Sequence, residues 1–254
     1  MIYIAMVAFL LISLPSWAAE IKFGFLESPS QRVAEFERAL PIGTHLSGFL
    51  VVNGMRIPLP AGDWMVIAVS GDVPTLNNVG TDQKSDSVPH GKLMLTSTDG
   101  GVGAHPKKII VVRTPLGSFK NRTWLSSLPG ICNPDWSKDY VFNREFLSLD
   151  QRGVDCRVIY YGRVFSWNDF LVNSGKVGLN SLGRGYGNED NYLLSGIFIS
   201  KNNSVLFFTY GELVDGNRYK NASDFRSQHD ADVVRFQSTV LPLNDQLRKA
   251  FDSM

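Results

Sequence analysis

Four histidines, His45, His90, His105 and His229, are the side chains of this 254-residue chain best suited to proton transfer or metal ligation, and they are widely scattered. Two histidines four apart on one helix face would suggest zinc, and no such pair occurs. His229-Asp230 with Asp232 is the densest small cluster. A metal-dependent phosphohydrolase would need more histidines nearby. The plainer reading is an Asp-rich N-terminus on the last helix, where negative charge suits the macrodipole.

Other chemistry is equally thin. A nucleophile elbow needs G-x-S-x-G after a strand, and Gly178 to Gly183 (GLNSLG) has one residue too many before Ser181. Gly183, Gly185 and Gly187 form a glycine run without the spacing of a phosphate loop, so they read as a flexible connection. Asp82, Asp86 and Asp99, or Glu189 and Asp190, could contribute to calcium coordination, but no twelve-residue EF-hand loop is present. Trp124, Trp136, Tyr160, Tyr161, Trp167 and Tyr186 could line a carbohydrate or peptide groove, although aromatics in a sheet protein more often form core. Sequons begin at Asn121, Asn202 and Asn221 and matter only in a eukaryotic secretory route. No catalytic, cofactor-binding or metal residue is assigned, and no cofactor is expected.

Composition excludes more than it selects. The net charge is +1 and both signs are interspersed, which argues against nucleic acid, since that partner needs a basic face. Ile2 to Leu14 is an apolar run ended by Pro15, too short to span a bilayer. Ser16-Trp17-Ala18 places small residues at the −3 and −1 positions of a cleavage site. A signal peptide over residues 1–18, cut between Ala18 and Ala19, is therefore expected, followed by one α+β domain over 19–254 with no transmembrane segment after cleavage. The n-region carries no Lys or Arg, so retention as a short anchor is the alternative. In an oxidising compartment, Cys132 and Cys156 read as one structural disulfide closing a loop of about 25 residues and contributing roughly 3 kcal/mol. Two free thiols are the other possibility.

The elements that must position these residues follow from pattern. Leu50-Val51-Val52 and Met55-Arg56-Ile57 flank Asn53-Gly54, a pair suited to a type I′ hairpin turn. Pro60 and Gly62 suggest a second reversal before the strand Met65 to Val69, making a three-stranded meander over Phe49 to Ser70. Ile21 to Leu26 reads as a strand. Ser28, Pro29 and Gln31 then start an amphipathic helix through a capping box. Gly71 to Pro89 is a long polar loop. Gly91–Thr98 and Lys108–Thr114 are strands joined through the glycines at 100, 101 and 103, and Val154–Tyr161 is another. Phe142 to Leu149 fits strand or helix. Ser166 caps a short helix to Val172, and Gly175 to Asn191 reads as loop. Ser195–Ser200 and Val205–Tyr210 form a hairpin whose second arm, apolar on both faces, should be central. Phe236, Val240, Leu243, Leu247 and Phe251 describe C-terminal amphipathic helices meeting or kinking at Pro242. The fold class is α+β: a mainly antiparallel sheet with a short N-terminal helix and C-terminal helices packed on it.

Leu59-Pro60-Ala61-Gly62-Asp63-Trp64, with the cysteines at 132 and 156 and the aromatic run after the second, resembles a loose group of uncharacterised exported proteins of Gram-negative bacteria. These carry an L-P-x-G-x-W hairpin early in the mature chain and a cysteine pair further on. The resemblance implies a periplasmic home and an α+β fold, and it brings no activity. The expectation is an exported, non-enzymatic binding or envelope-associated domain in the periplasm, with secretion as the alternative and an envelope protein as a possible partner. Two other readings stay open. One is a cell-envelope hydrolase whose site is assembled from distant loops, with His90, His105 and the Gly71–Pro89 loop contributing. The other is an interaction subunit that adds a partner strand to an exposed edge of the Phe49–Ser70 meander.

Overall fold

A computed structural model describes residues 19–73, 76–77, 84–85, 89–117, 132–133, 140–150, 153–166, 169–201 and 204–253. Its strands are β1 (Ala19–Ile21), β2 (His45–Val52), β3 (Met55–Asp72), β4 (Leu76–Asn77), β5 (Lys84–Ser85), β6 (His90–Ser97), β7 (Lys108–Pro115), β8 (Val141–Asp150), β9 (Gly153–Gly162), β10 (Asn191–Lys201) and β11 (Ser204–Asp215). The helices are α1 (Pro29–Ala39), α2 (Phe170–Ser181) and α3 (Ala222–Asp252). Nine strands form one mixed sheet in the order β1-β2-β3-β6-β7-β11-β10-β9-β8, while β4 and β5 pair only with each other. Every pairing in the large sheet is antiparallel except β1 with β2. The chain is thus α+β, and β11 lies inside the sheet between β7 and β10, where its two-faced apolar pattern requires it to be. Among the described residues no helix is long and apolar enough to cross a membrane.

Successive strand residues alternate between the two faces, so the sheet builds two cores. One face collects Leu93, Leu95, Ile110, Val112, Phe208 and Tyr210 under α1 and α3. The other collects Ile67, Met94, Ile109, Cys132, Cys156 and Val158 with Leu171, Val172 and Leu179 of α2. Cys132 and Cys156 lie at disulfide distance, Cα to Cα 5.8 Å, with Cys156 in the middle of β9. Mass spectrometry without reduction should find the two cysteine peptides linked; recovery of both as alkylated monomers would exclude the bond.

The Asn53-Gly54 hairpin has the positive φ angles (50° and 85°) that a type I′ turn needs. Pro60 and Gly62, in contrast, make no reversal. β3 runs through them as one 18-residue strand, with residues 59–62 bulging opposite Gly48 of β2. Proline has no N–H to offer a ladder, so it is tolerated where pairing is interrupted, and Gly48 and Gly62 take the positive φ that the bulge requires. Trp64 Nε1 donates to Pro60 O at 2.8 Å and bridges the bulge.

Other boundaries moved for local reasons. The first strand stops at Ile21, because the chain turns at Phe25-Leu26 and exposes both side chains. The capping box at the start of α1 is formed in both directions, Gln31 N to Ser28 Oγ and Ser28 N to Gln31 Oε1. Phe142–Leu149 is strand. Ser166 ends a 3₁₀ turn (Val164–Ser166) rather than capping a helix. The cap is Asp169, whose carboxylate accepts from Leu171 N and Val172 N. α2 then continues through Gly175 and Gly178, residues read from sequence as loop. In α3 the break in helical dihedrals falls at His229 (φ −128°, ψ 27°), not at Pro242, and the helix starts at Ala222, well before the first apolar position of the sequence pattern.

Candidate functional site

The polar side chains richest in mutual contacts gather at one end of the sheet. The connections 98–107, 163–190 and 216–221 all leave from it, because β6, β9 and β11 end there while β7 and β10 begin. Asp215, the last residue of β11, is the hub. Asn191 Nδ2 (3.1 Å) and Asn217 N (3.1 Å) donate to its Oδ1. Asn217 Nδ2 (3.0 Å) and the Tyr219 hydroxyl donate to Oδ2. His229 Nε2 lies 3.1 Å from the same oxygen and 2.8 Å from the Tyr219 hydroxyl, while its Nδ1 lies 3.3 Å from Asp232 Oδ2.

Charges extend this hub along the rim. Arg163, just past β9, donates to Asn191 Oδ1 (3.3 Å), Asn217 O (3.1 Å) and Glu189. Arg218 reaches both oxygens of Glu189 at 3.2 Å. Asp190 faces away to His105 Nδ1 at 2.8 Å. On the α3 side the buried Glu212 accepts from Tyr210 (2.6 Å) and Arg235 (2.6 Å). Beneath the hub, Phe225 stacks on Tyr161 with centroids 4.8 Å apart and touches both Tyr219 and His229, so the ring of His229 is held by packing as well as by polar contact.

Electrostatics follow from these contacts. Burial would raise the Asp215 carboxyl, but hydrogen bonds from Tyr219, Asn191 and Asn217 outweigh it and hold the group below the usual carboxylate range. Burial and the bond to Asp215 push the Tyr219 phenol up. Burial pushes Tyr161, whose hydroxyl donates to Tyr219 O at 3.0 Å, up to about 12. A carboxyl with a depressed folded pKa adds stability above its unfolded value, about 3.9, and that increment disappears as pH falls through the folded value. Asp215→Asn is therefore expected to cost about 1–2 kcal/mol near neutral pH, by weakening bonds to a charged acceptor. It should also flatten the acid limb of the stability curve below about pH 4. Denaturant titrations of both proteins from pH 7 to pH 2.5 measure this, and parallel acid limbs would show that Asp215 is not a determinant.

The rim brings together some of the sequence candidates and separates others. His229, Asp232, Glu189, Asp190 and His105 are on it; Asp230 instead meets Arg226 at 2.6 Å. His90 opens β6 and is buried at the opposite end of that strand from the 98–107 connection, roughly 23 Å away at ~3.3 Å per residue. It therefore does not join His105 in one site. His45 is exposed on β2. Gly183 ends α2 at φ 67°, and Gly185 lies beside His105, so the glycine run lines the 98–107 connection. Arg184 between them is buried and donates to Ser97 O (2.7 Å), Thr98 O (3.3 Å) and Gly100 O (2.8 Å). Tyr160 and Tyr161 are core residues, and Tyr186 packs near Phe165 at 5.7 Å. Asn221 is the N-cap of α3. Ala18, Asp82, Asp86, Asn121, Trp124, Trp136, Trp167 and Asn202 lie outside the described residues.

Asp215, Asn191, Asn217, Tyr219 and Arg163 were not legible as site residues. They end, follow or open strands, and nothing in their spacing joins them. Chemically, the hub is an imidazole between two carboxylates with a phenol beside it. The polar partners of the two rim histidines are Tyr219, Asp215 and Asp232 for His229 and Asp190 for His105, carboxylates and a phenol rather than a nucleophilic hydroxyl or thiol. Comparison with protein-family models, curated proteins and solved structures gave no match.

Proposed function

We propose that this chain is an exported periplasmic domain that binds an envelope partner rather than transforming a substrate. The observation that carries the reading is the cysteine pair at disulfide distance in the core of the second face, a stabilising device suited to an oxidising compartment. The apolar segment 2–14 with its Ala18–Ala19 junction, and the resemblance of the 59–64 stretch to exported Gram-negative proteins, point the same way. The rim's polar groups satisfy one another. Both nitrogens of His229 and the Nδ1 of His105 are already set against protein oxygens. Fractionation of a Gram-negative host with mass analysis tests the export half: the periplasmic fraction should contain a chain beginning at Ala19 with its cysteines linked. A cytoplasmic chain retaining residues 1–18 with two reduced thiols would overturn it.

A second reading, a cell-envelope hydrolase, draws on the His229–Asp215 contact, since a histidine within hydrogen-bond reach of a carboxylate is the arrangement such a site needs. It is decided by assaying esters, glycosides, peptides and phosphates with the wild type and His229→Gln. Turnover lost in the variant would replace the binding reading. The third reading, strand addition at the meander edge, loses its ground at residues 50–52. There β1 already pairs with β2 (Ala19 with Leu50 to Ile21 with Val52), and β3 lies inside the sheet between β2 and β6.

A further inference from the structure

α3 is two helical pieces, 222–228 and 230–252, joined at His229, whose backbone (φ −128°, ψ 27°) leaves the helical region. The residue at the joint also ties the helix to the sheet. Its Nε2 lies 3.1 Å from Asp215 Oδ2 at the end of β11 and 2.8 Å from the Tyr219 hydroxyl, and its Nδ1 lies 3.3 Å from Asp232 Oδ2. The Tyr219 hydroxyl has one proton and donates it to Asp215, so towards His229 it accepts. Each of these three oxygens is therefore an acceptor towards the ring. A neutral imidazole has a single N–H. With the proton on Nε2, the bare Nδ1 faces Asp232; with it on Nδ1, the bare Nε2 faces Asp215 and the tyrosine oxygen. Only the ring protonated at both nitrogens satisfies both sides.

We propose that His229 is a pH-sensitive hinge: doubly protonated, it fastens the 222–228 piece of α3 to the end of β11, and the piece loosens when the ring gives up a proton. The charged groups packed around it leave this part to the ring. Asp224, on the 222–228 piece, adds negative charge beside Tyr219, and Tyr161 of β9 donates to Tyr219 O. Among the cations, Arg163 is turned to Glu189, Asn191 Oδ1 and Asn217 O, Arg218 to Glu189, and Arg235 to Glu212. Arg226 bridges the joint to Asp230 on its exposed side, where an ion pair holds little. On discharge Asp215 keeps four other donors and stays in place. Asp232, 45 % exposed, has Arg235 Nη2 at 3.7 Å to turn to. The tie between the joint and β11 then weakens, because a pair of opposite charges has become a neutral donor on a carboxylate. By linkage, partners that prefer the charged ring hold the piece most firmly in acid and lose that hold as the pH rises through the range, about 5 to 8, in which histidine changes charge. The piece carries the buried Phe225, whose ring lies 4.8 Å from both Tyr161 and His229, so its loosening uncovers the aromatic packing beneath the rim, whatever the rim binds.

The test follows the ring and the backbone of the whole protein together. Nitrogen–proton correlation spectra of His229 should show both ring nitrogens protonated at about pH 5 and only Nε2 protonated at about pH 8.5. Over the same interval, hydrogen-exchange protection of amides 224–228, corrected for intrinsic exchange, should fall about ten-fold or more, while the β6 and β7 amides hold theirs. Asp232→Asn supplies an amide that can donate to a bare Nδ1, so the neutral ring is better satisfied and the fall should shrink to about three-fold or less. His229→Gln cannot carry the charge and should show low protection at both pH values with no step between them. If His229→Gln does not fold, the wild type and Asp232→Asn decide the matter. The proposal is overturned by a ring that keeps one protonation state throughout, by a fall in protection that does not track the ring, or by a fall as large in either variant as in the wild type.

Discussion

Gly178→Ala should destabilise the protein by about 3 kcal/mol or more, although alanine is the better helix former by about 1 kcal/mol. α2 lies directly on β3, and a Cβ built on Gly178 would stand 1.9 Å from the carbonyl oxygen of Ile67 and 2.9 Å from its carbon. The obstacle is backbone, so no rotamer change relieves it. Either the helix lifts off the sheet, loosening Leu171, Val172 and Leu179 in the second core, or β3 shifts against β6. Gly175, one turn earlier, meets the Met94 Sδ at 2.7 Å. A flexible thioether can give way, so Gly175→Ala should cost less, about 1 kcal/mol. At about 2–4 °C per kcal/mol for a chain of this size, Gly178→Ala lowers the thermal midpoint by roughly 6–12 °C. Asn180→Ala, on the exposed side of the same helix, serves as the propensity control and should hold or raise the midpoint. A Gly178→Ala protein as stable as the Asn180→Ala protein would mean that the close approach of α2 to β3 is wrong.

The same glycines explain why α2 was only partly legible. In a sequence window Gly175 and Gly178 count as helix breakers, and their neighbours Asn173, Ser174, Asn180 and Ser181 add turn-like composition. What selects helix is a tertiary constraint, the need for bare backbone on the face against Ile67, and no local pattern encodes it. The elements that were legible are those whose signal is local: the Asn53-Gly54 turn, the capping box at Ser28, and the spacing from Phe236 to Phe251. The bulge at 59–62 misled for a related reason. Pro and Gly mark a place where ladder pairing stops, and a reversal and a bulge both stop it; whether Trp64 returns to the same face as Leu59 settles the matter only in three dimensions. The rim is less legible still. Its residues are drawn from positions 163, 189–191, 215–219 and 229, brought together by β9, β10 and β11 lying side by side. Strand ends carry no periodicity to read, and even the His229 cluster, which composition flagged, points to Asp215 rather than to its sequence neighbour Asp230.

Trp64→Ala should be the most damaging single substitution, costing about 3–5 kcal/mol and lowering the midpoint by roughly 6–20 °C. Trp64 is fully buried on the face covered by α1 and α3. Its ring meets Tyr210 edge-on with centroids 6.1 Å apart, and Tyr210 in turn stacks on Phe236 of α3 at 5.8 Å. Truncation would open a cavity where β3, β11 and α3 meet and would remove the indole bond to Pro60 O that closes the bulge. Trp64→Phe separates the two contributions: it keeps most of the apolar volume and loses only the donor, so its cost should be nearer 1–2 kcal/mol. Chemical denaturation of the three proteins side by side measures both. A Trp64→Ala protein that kept its midpoint but lost binding to an envelope partner would make the 59–64 stretch a recognition surface. Its complete burial against Tyr210 argues that it is instead the element on which the first half of the sheet is registered.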